Sequence, residues 1–376
     1  MSVLFSPISI KGLPLANRLM RSATFEQIAA KDGDVSPKEL DLYRDLAAGG
    51  VGLIITGIIN VCEQGRISPR QNSLSTDGHI PGMARLASEV HGQGGKVAVQ
   101  LFHAGRESAR MHAWRGGGPA AGPSALPGEA HFPYENRAMT QEEILQVVDD
   151  FGKAAGRAKE AGYDGVQVHG AHAYLLGQFL SPHTNHRQDE WGGSLSNRLR
   201  LHLEILAAIR AQVGPDYPVM FKLGVADGFE GGLPLEEGLK AAELLAQAGC
   251  DCLEISQGLR GDNYEQSEFH TKVDRPGGEA YFRSWAAKVK QRVDIPVAAV
   301  GGVRTPEIAE EILARGEADL VALSRPLISE PSLPARWQKG DTARTRCISC
   351  NKCFELVLQG RHISCIFDRQ ESANKV

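Results

Sequence analysis

The sequence has no apolar stretch long enough to cross a bilayer. A spanning helix needs ~20 consecutive apolar residues, and the longest strongly apolar run, Val51 to Val61, is about half of that and reads as a buried strand. No cluster of Lys or Arg stands out, and a net charge of −4 supplies no basic field for a polyanion, which argues against nucleic acid as a partner. Met1 to Arg18 alternates apolar residues with Ser, Pro and Gly and lacks the charged start and continuous apolar segment of a secretion signal. The seven cysteines are an odd number and four crowd between Cys347 and Cys365, a poor basis for a secreted disulfide framework. A reducing, cytoplasmic setting is expected. What is present is ordinary globular material, 42% hydrophobic and 23% charged, enough for one large core.

One pattern recurs along the chain: a helix ends at Gly and a short apolar strand starts a few residues later. Ala48-Gly49-Gly50-Val51-Gly52 precedes Leu53-Ile54-Ile55, and Ala161-Gly162-Tyr163-Asp164 precedes Val166-Gln167-Val168. Ala248-Gly249-Cys250-Asp251 precedes Leu253-Glu254-Ile255, and Gly316-Glu317-Ala318-Asp319 precedes Leu320-Val321-Ala322. Four more apolar segments, Leu19 to Ala23, Val97 to Phe102, Val219 to Leu223 and Val297 to Val300, bring the strands to eight. Helical stretches lie between them, two opened by the capping boxes Ser36-Pro37-Lys38-Glu39 and Thr140-Gln141-Glu142-Glu143.

Eight βα units predict an α/β fold, a (β/α)8 TIM barrel over residues 1–340. An open dinucleotide-binding sheet is disfavoured because Gly49-Gly50-Val51-Gly52 precedes its strand instead of following it. Two segments break the rhythm. The Gly/Pro-rich excursion from His103 to Met139 is far longer than a normal βα loop and reads as an active-site lid. Residues 341–376 form a cysteine-bearing tail read as a separate site.

Reactive groups in such a barrel belong at the C-terminal strand ends. There the sequence offers Ser22 and Thr24, Gly57, Gln100, His169, Lys222, Ser256, Gly301 with Gly302, and Ser324 with Arg325. Gly301-Gly302 permits close backbone approach, and Arg325 places a guanidinium beside it, where barrels commonly hold a phosphate. His169 and His172 stand three apart with Tyr174 two further on, so three hydrogen-bonding rings can converge on one oxygen. Read from the residues alone, a phosphate-binding aldolase or lyase using Lys222 as a Schiff-base nucleophile, without flavin, stays open.

The run from His169 to Pro182, continuing through Asn185, Arg187, Asp189, Trp191-Gly192-Gly193-Ser194 and Asn197-Arg198, resembles the signature of Old Yellow Enzyme-type NAD(P)H:flavin oxidoreductases. The resemblance extends from Asn17-Arg18 to Ser324-Arg325. It implies FMN at the barrel mouth, with Ser22, Ala23, Thr24 and Gly57 along the isoalloxazine, Gln100 at its pyrimidine edge, Lys222 facing N1 and O2, and Gly301, Gly302, Ser324 and Arg325 at the phosphate. His169 and His172 would then bind the oxygen of a small unsaturated substrate while flavin N5, recharged by NADH or NADPH, delivers hydride, and Tyr174 would protonate the adjacent carbon. Phe25 and Gln178 would line the substrate pocket. Phe25 falls where many relatives carry cysteine or threonine, and it donates no hydrogen bond to the flavin. Arg187, Asp189 and Gly192-Gly193 are assigned to loop structure. A homo-oligomer is expected.

The tail carries Cys347, Cys350, Cys353 and Cys365 in the spacing C-x2-C-x2-C-x11-C. It resembles the cluster loops of dienoyl-CoA reductase and trimethylamine dehydrogenase, implying a [4Fe-4S] cluster and, with it, an external electron-transfer partner. The same feature supports a second reading, a dehydrogenating or demethylating flavoprotein that passes electrons to the cluster. Zinc on the four thiolates and four free thiols remain as alternatives.

Overall fold

The computed structural model describes residues 2–114, 116–128, 133–261, 266–271, 273–274 and 277–373. The chain opens with a hairpin of β1 (Ile8–Ile10) and β2 (Leu13–Leu15). Barrel strands follow as β3 (Leu19–Arg21), β4 (Leu53–Asn60) and β5 (Val97–Phe102). After a small parallel pair of β6 (Ala120–Gly122) and β7 (Asn136–Ala138) come β8 (Gly165–Gly170), β9 (Val219–Gly224), β10 (Cys252–Ser256), β11 (Val297–Val300) and β12 (Leu320–Leu323). The eight barrel strands are parallel and pair in chain order, and β12 closes onto β3. The expected eight-stranded barrel is therefore the fold, with strand boundaries shifted by a few residues. The β1–β2 hairpin and the β6–β7 pair were not anticipated.

Local chemistry explains the alternation. Both capping boxes form: Glu39 N–H donates to Ser36 Oγ and Ser36 N–H to Glu39 Oε2, and Thr140 and Glu143 repeat the exchange. The Gly-containing helix ends turn through left-handed glycines at Gly50, Gly162, Gly249 and Gly316, where a Cβ would be strained. The aspartate of three of these turns adds a clamp. Asp164, Asp251 and Asp319 each accept the first strand N–H of Val97, Val219 and Val297 at 2.8–2.9 Å, and each donates its own N–H back to that residue's carbonyl. Each turn thus ties the base of one strand to the start of the next.

Period-two alternation then fills the barrel in layers. The lower interior is apolar: Met20, Leu53, Ile55, Ala98, Met220, Cys252, Ala298 and Leu320 pack together, plugged from beneath by Ile10 and Leu15 of the hairpin. Higher up, on or just beyond β3, β5, β8, β9 and β10, the residues become polar: Ser22, Gln100, Gln167, Lys222 and Glu254.

Two expectations about the surroundings change. The His103–Met139 excursion, of which residues 115 and 129–132 lie outside the described residues, does not line the barrel-mouth cavity; none of its described residues faces it. Arg187 holds its described part beside the barrel by donating to Pro123 O and Met139 O. The cover comes instead from the loop after β10 and from the tail. The tail is packed onto the mouth and does not stand apart: Thr345 N–H donates to Arg304 O, Ile363 N–H to Glu26 O, and Gln27 Nε2 to Val357 O.

Candidate active site

An open cavity of about 1140 Å³ sits over the polar layer at the C-terminal ends of the strands. Its walls include Ser22, Ala23, Thr24, Phe25, Gln100, His169, His172, Tyr174, Lys222, Gly301, Gly302, Ser324 and Arg325, thirteen of the fifteen residues expected at the flavin and substrate site. Gly57 and Gln178 are the exceptions. A register shift between Ile55 and Ile58 in β4 turns Ile58 toward the cavity. Gly57 lies behind it: a Cβ there would meet Glu26 Oε2 at 2.1 Å, and Gly57 N–H donates to the Tyr43 hydroxyl. Gln178 is fully buried beneath the wall, where its amide accepts from Arg106 N–H and donates to the carbonyls of Ala104 and Ala173. It is a brace between two loops with no hydrogen-bonding group left for a substrate.

The floor is a hydrogen-bonded chain built by strand register. Gln100 pairs with Gln167 across β5–β8, His169 with Lys222 across β8–β9, and Lys222 with Glu254 across β9–β10. Lys222 Nζ donates to Glu254 Oε1 and to Ser22 Oγ, both at 2.8 Å, and Ser22 Oγ donates to Glu254 Oε1 at 2.5 Å. Gln167 Nε2 donates to Glu254 Oε2, and Gln100 Nε2 to Gln167 Oε1. The chain ends at Gln100 Oε1, a buried acceptor left without a partner at the cavity wall.

The reactive wall follows β8 directly. His172 and Ala173 take left-handed conformations, with φ 58° and 64°, which are strained for residues with a Cβ. Their N–H groups donate to Gln257 O and Gly258 O, so the loop after β10 holds the strained turn in place. The turn gathers three rings: the His169 centroid is 5.0 Å from that of His172 and 5.1 Å from that of Tyr174, and Phe102 backs Tyr174 edge-on at 4.5 Å. His169 Nδ1 accepts Ala171 N–H, which makes Nε2 the protonated nitrogen of the neutral ring. Burial, reinforced for both by Lys222, holds both histidines well below their usual range, and thus neutral. His172 Nε2 lies 2.7 Å from Ser256 Oγ, and its Nδ1 is 3.9 Å from a Glu268 carboxylate oxygen. Burial pushes the Tyr174 hydroxyl up, partly offset by Arg260, so it stays protonated.

Several of these groups escaped the sequence reading. Glu254 and Gln167 share strand parity with Ser256 and His169, a signal that alternation alone supplies. Arg260, Glu268, Tyr281 and Asn351 carry no such signal because loops place them. Arg260 binds Glu268 through two nitrogens at 2.7–3.0 Å, with its guanidinium carbon 5.6 Å from the Tyr174 ring centroid. The Tyr281 ring lies against Gly301 and Gly302, where a Cβ on either glycine would come within 2.7–2.8 Å of it. Arg325 Nη1 donates to Asn351 Oδ1 and His270 O, and Arg325 Nη2 donates to the Tyr281 hydroxyl. The arginine expected at a phosphate thus also joins the tail to the loop after β10.

None of the seven cysteines forms a disulfide. Cys347, Cys350, Cys353 and Cys365 line one small cavity of about 310 Å³. Arg325, Ile328, Ser349, Asn351 and Cys353 belong to the walls of both this cavity and the large one. Burial raises the Cys347 thiol and pushes that of Cys353 up to about 11. Among the described residues no three His, Cys, Asp or Glu side chains are gathered closely enough to hold a single metal ion, and no helix is long and apolar enough to cross a membrane.

A parallel barrel with a cavity of polar and histidine side chains at its strand ends is an enzyme-type architecture, and the comparisons give its class. Residues 3–343 match the model of the NADH:flavin oxidoreductase / NADH oxidase family, and the chain belongs to that family. It is 40% identical over 352 residues to an NADH oxidase of Thermoanaerobacter brockii, covering 93% of this chain and 52% of that protein. Among solved structures it superposes on 2-naphthoyl-CoA reductase in complex with 2-naphthoyl-CoA with a TM-score of 0.89 at 29% identity, covering 96% of this chain and 56% of the other. An old yellow enzyme homologue from Zymomonas mobilis superposes at 0.76 with 27% identity, over 91% and 94% of the two chains. The chain spans about half the length of the first two relatives, 52% and 56%.

FMN fits the residues present. The orphaned Gln100 Oε1 offers an acceptor to an imide N–H, Lys222 offers a buried cation to neighbouring carbonyl oxygens, and Gly301-Gly302 and Arg325 offer backbone without side chains and a guanidinium to a phosphate, with the Tyr281 ring now resting on the glycines.

Proposed function

We propose that the chain is an FMN-dependent oxidoreductase that takes electrons from NADH or NADPH and reduces an activated C=C bond of a small substrate. The observation that carries this reading is the convergence of His169, His172 and Tyr174 on one side of a cavity whose floor is the Ser22–Lys222–Glu254–Gln167–Gln100 chain. FMN held on that floor supplies hydride. The residues do the rest. The His169 Nε2–H, joined by His172, polarises the substrate oxygen, so electron density leaves the distal carbon of the double bond. Tyr174 supplies the proton to the other carbon, and Phe25 and Ile58 make the adjoining wall apolar. Setting Lys222 into an ion pair with Glu254, inside a flavin oxidoreductase family, removes the support for an aldolase reading.

Purification should give a yellow protein with one FMN per chain, bleached by NAD(P)H under anaerobic conditions and recoloured by an enone such as cyclohexenone. A colourless protein that takes up no FMN after growth with excess riboflavin would refute the proposal.

A second feature favours an additional redox centre. Cys347, Cys350, Cys353 and Cys365 line one cavity. Four cysteines around one cavity, with a wall shared with the large cavity, support a [4Fe-4S] assignment to Cys347, Cys350, Cys353 and Cys365 and electron exchange across that wall. About four iron and four labile sulfide per chain after anaerobic purification are expected; iron-free protein after anaerobic reconstitution would end this assignment.

A further inference from the structure

The buried Glu254 has no place in the substrate chemistry above, yet it is the hub of the floor. Its two oxygens join the cation to the glutamine pair: Oε1 accepts from Lys222 Nζ and Ser22 Oγ, and Oε2 accepts from Gln167 Nε2. A carboxylate this deeply buried, 1% exposed, is costly to keep unless its charge is matched. It stands directly beside Lys222, so the net charge presented to the cavity floor is close to zero and not +1. Gln167 adds a second consequence. Its Nε2 is committed to Glu254, so its Oε1 must face Gln100 and takes the Gln100 Nε2, which leaves Gln100 Oε1 as the outward atom. One carboxylate therefore fixes both the field of Lys222 and the amide orientation of Gln100.

Resting on the FMN reading, we infer that Glu254 is a positioning residue that neutralises Lys222 and, through Gln167, orients Gln100, so that it lowers the reduction potential of the bound flavin while securing its binding. Reduction places negative charge on the ring that carries the imide and its two carbonyl groups, and a bare cation beside that ring would favour the reduced form. A paired cation does so less. At the few-ångström separations of this floor, a unit charge in an effective dielectric near ~20 changes such an equilibrium by an order of magnitude or more.

The experiment uses the FMN-loaded protein and reads the ratio of reduced to oxidised flavin at equilibrium with a dye of known potential, alongside the FMN dissociation constant from flavin fluorescence. Glu254→Gln should raise that ratio about tenfold, which for a two-electron couple is about 30 mV. Lys222→Met should lower it, and the double variant should return to within about threefold of the unaltered protein. A ratio unchanged within twofold in Glu254→Gln, or a shift of the same sign in both single variants, would overturn the inference. Gln167→Leu leaves both charges in place and serves if the charge variants do not fold. It should raise the FMN dissociation constant about tenfold, the scale of one lost hydrogen bond, with the potential unmoved. A Gln167→Leu protein that binds FMN like the unaltered one overturns the bridge to Gln100. Absence of FMN from the unaltered protein defeats the functional reading itself and is seen before any variant is made.

Discussion

The cavity has two sides made in different ways. Its floor and reactive wall stand on barrel strands, where register places Gln100 beside Gln167 and Lys222 beside His169 and Glu254, and each side chain is tied to the next. Its cover, made of the loop after β10 and the tail, is held by a handful of links between side chains and distant backbone. Asn351 Nδ2 donates to Phe269 O, Arg304 Nε to Cys347 O, and Phe354 stacks on Phe269 at 4.3 Å between centroids. A change in the floor or wall should therefore alter one chemical property and leave the rest standing. A change in the cover should loosen several things together.

The largest test of that contrast is at the wall. His169→Ala with His172→Ala should leave flavin reduction by NAD(P)H within a few-fold and slow reoxidation by an enone about 10²-fold or more, the scale of lost oxyanion-type donors. Stopped-flow absorbance separates the two half-reactions. Equal slowing of both would mean that the wall is not chemically independent of the flavin seat.

The same contrast explains how much was legible in the sequence. Strand ends obey a period of two and several strands start after recognisable glycine turns, so Ser22, Gln100, His169 and Lys222 are legible in the sequence as strand-end residues. Glu254 and Gln167 obey the same rule and were passed over because each looked like an ordinary strand residue. The cover obeys no period. The tail's position over the mouth depends on Asn351, a left-handed residue with φ 58°, and on carbonyls hundreds of positions away in some cases, such as that of Glu26. The excursion after β5 was read as the lid because it is long and rich in Gly and Pro, but length marks only that a segment needs support of its own. Its described part packs beside the barrel. Gly57 failed for a related reason, since a bulge in β4 is invisible to alternation and turns Ile58 inward in its place.

A cover variant should give an intermediate, mixed effect. Asn351→Ala removes the donor to Phe269 O and the acceptor for Arg325, both in the wall common to the two cavities. Two lost hydrogen bonds, each worth roughly 0.5–1.5 kcal/mol net, should weaken FMN retention by about tenfold or more. The same variant should speed reaction of the tail thiols with a chromogenic disulfide in cluster-free protein, since the cysteine loop and the cover move as one. Weaker FMN with unchanged thiol reactivity would separate the tail from the cover and break the comparison on that side.

The smallest effect is an expected constancy. A histidine that binds substrate oxygen as an imidazolium would lose its function as pH rises through about 6.5, its ordinary range. In this wall burial disfavours the charged ring, and Lys222 adds to the effect at both His169 and His172, so each takes up a proton only well below that range. The Ala171 N–H on His169 Nδ1 fixes the same neutral form from the side of geometry, because that nitrogen must stay unprotonated to accept. With burial also raising Tyr174, its hydroxyl keeps its proton through neutral pH and beyond. The proposed donor and acid are thus both in the forms their roles require from about pH 6 to about pH 8. The rate of flavin reoxidation by an enone, measured in single turnover so that NAD(P)H plays no part, should change less than about twofold across that interval. A loss of rate centred near pH 6.5 would show that the imidazolium is the donor, and that the strained turn at His172–Ala173 holds a charge its surroundings do not favour.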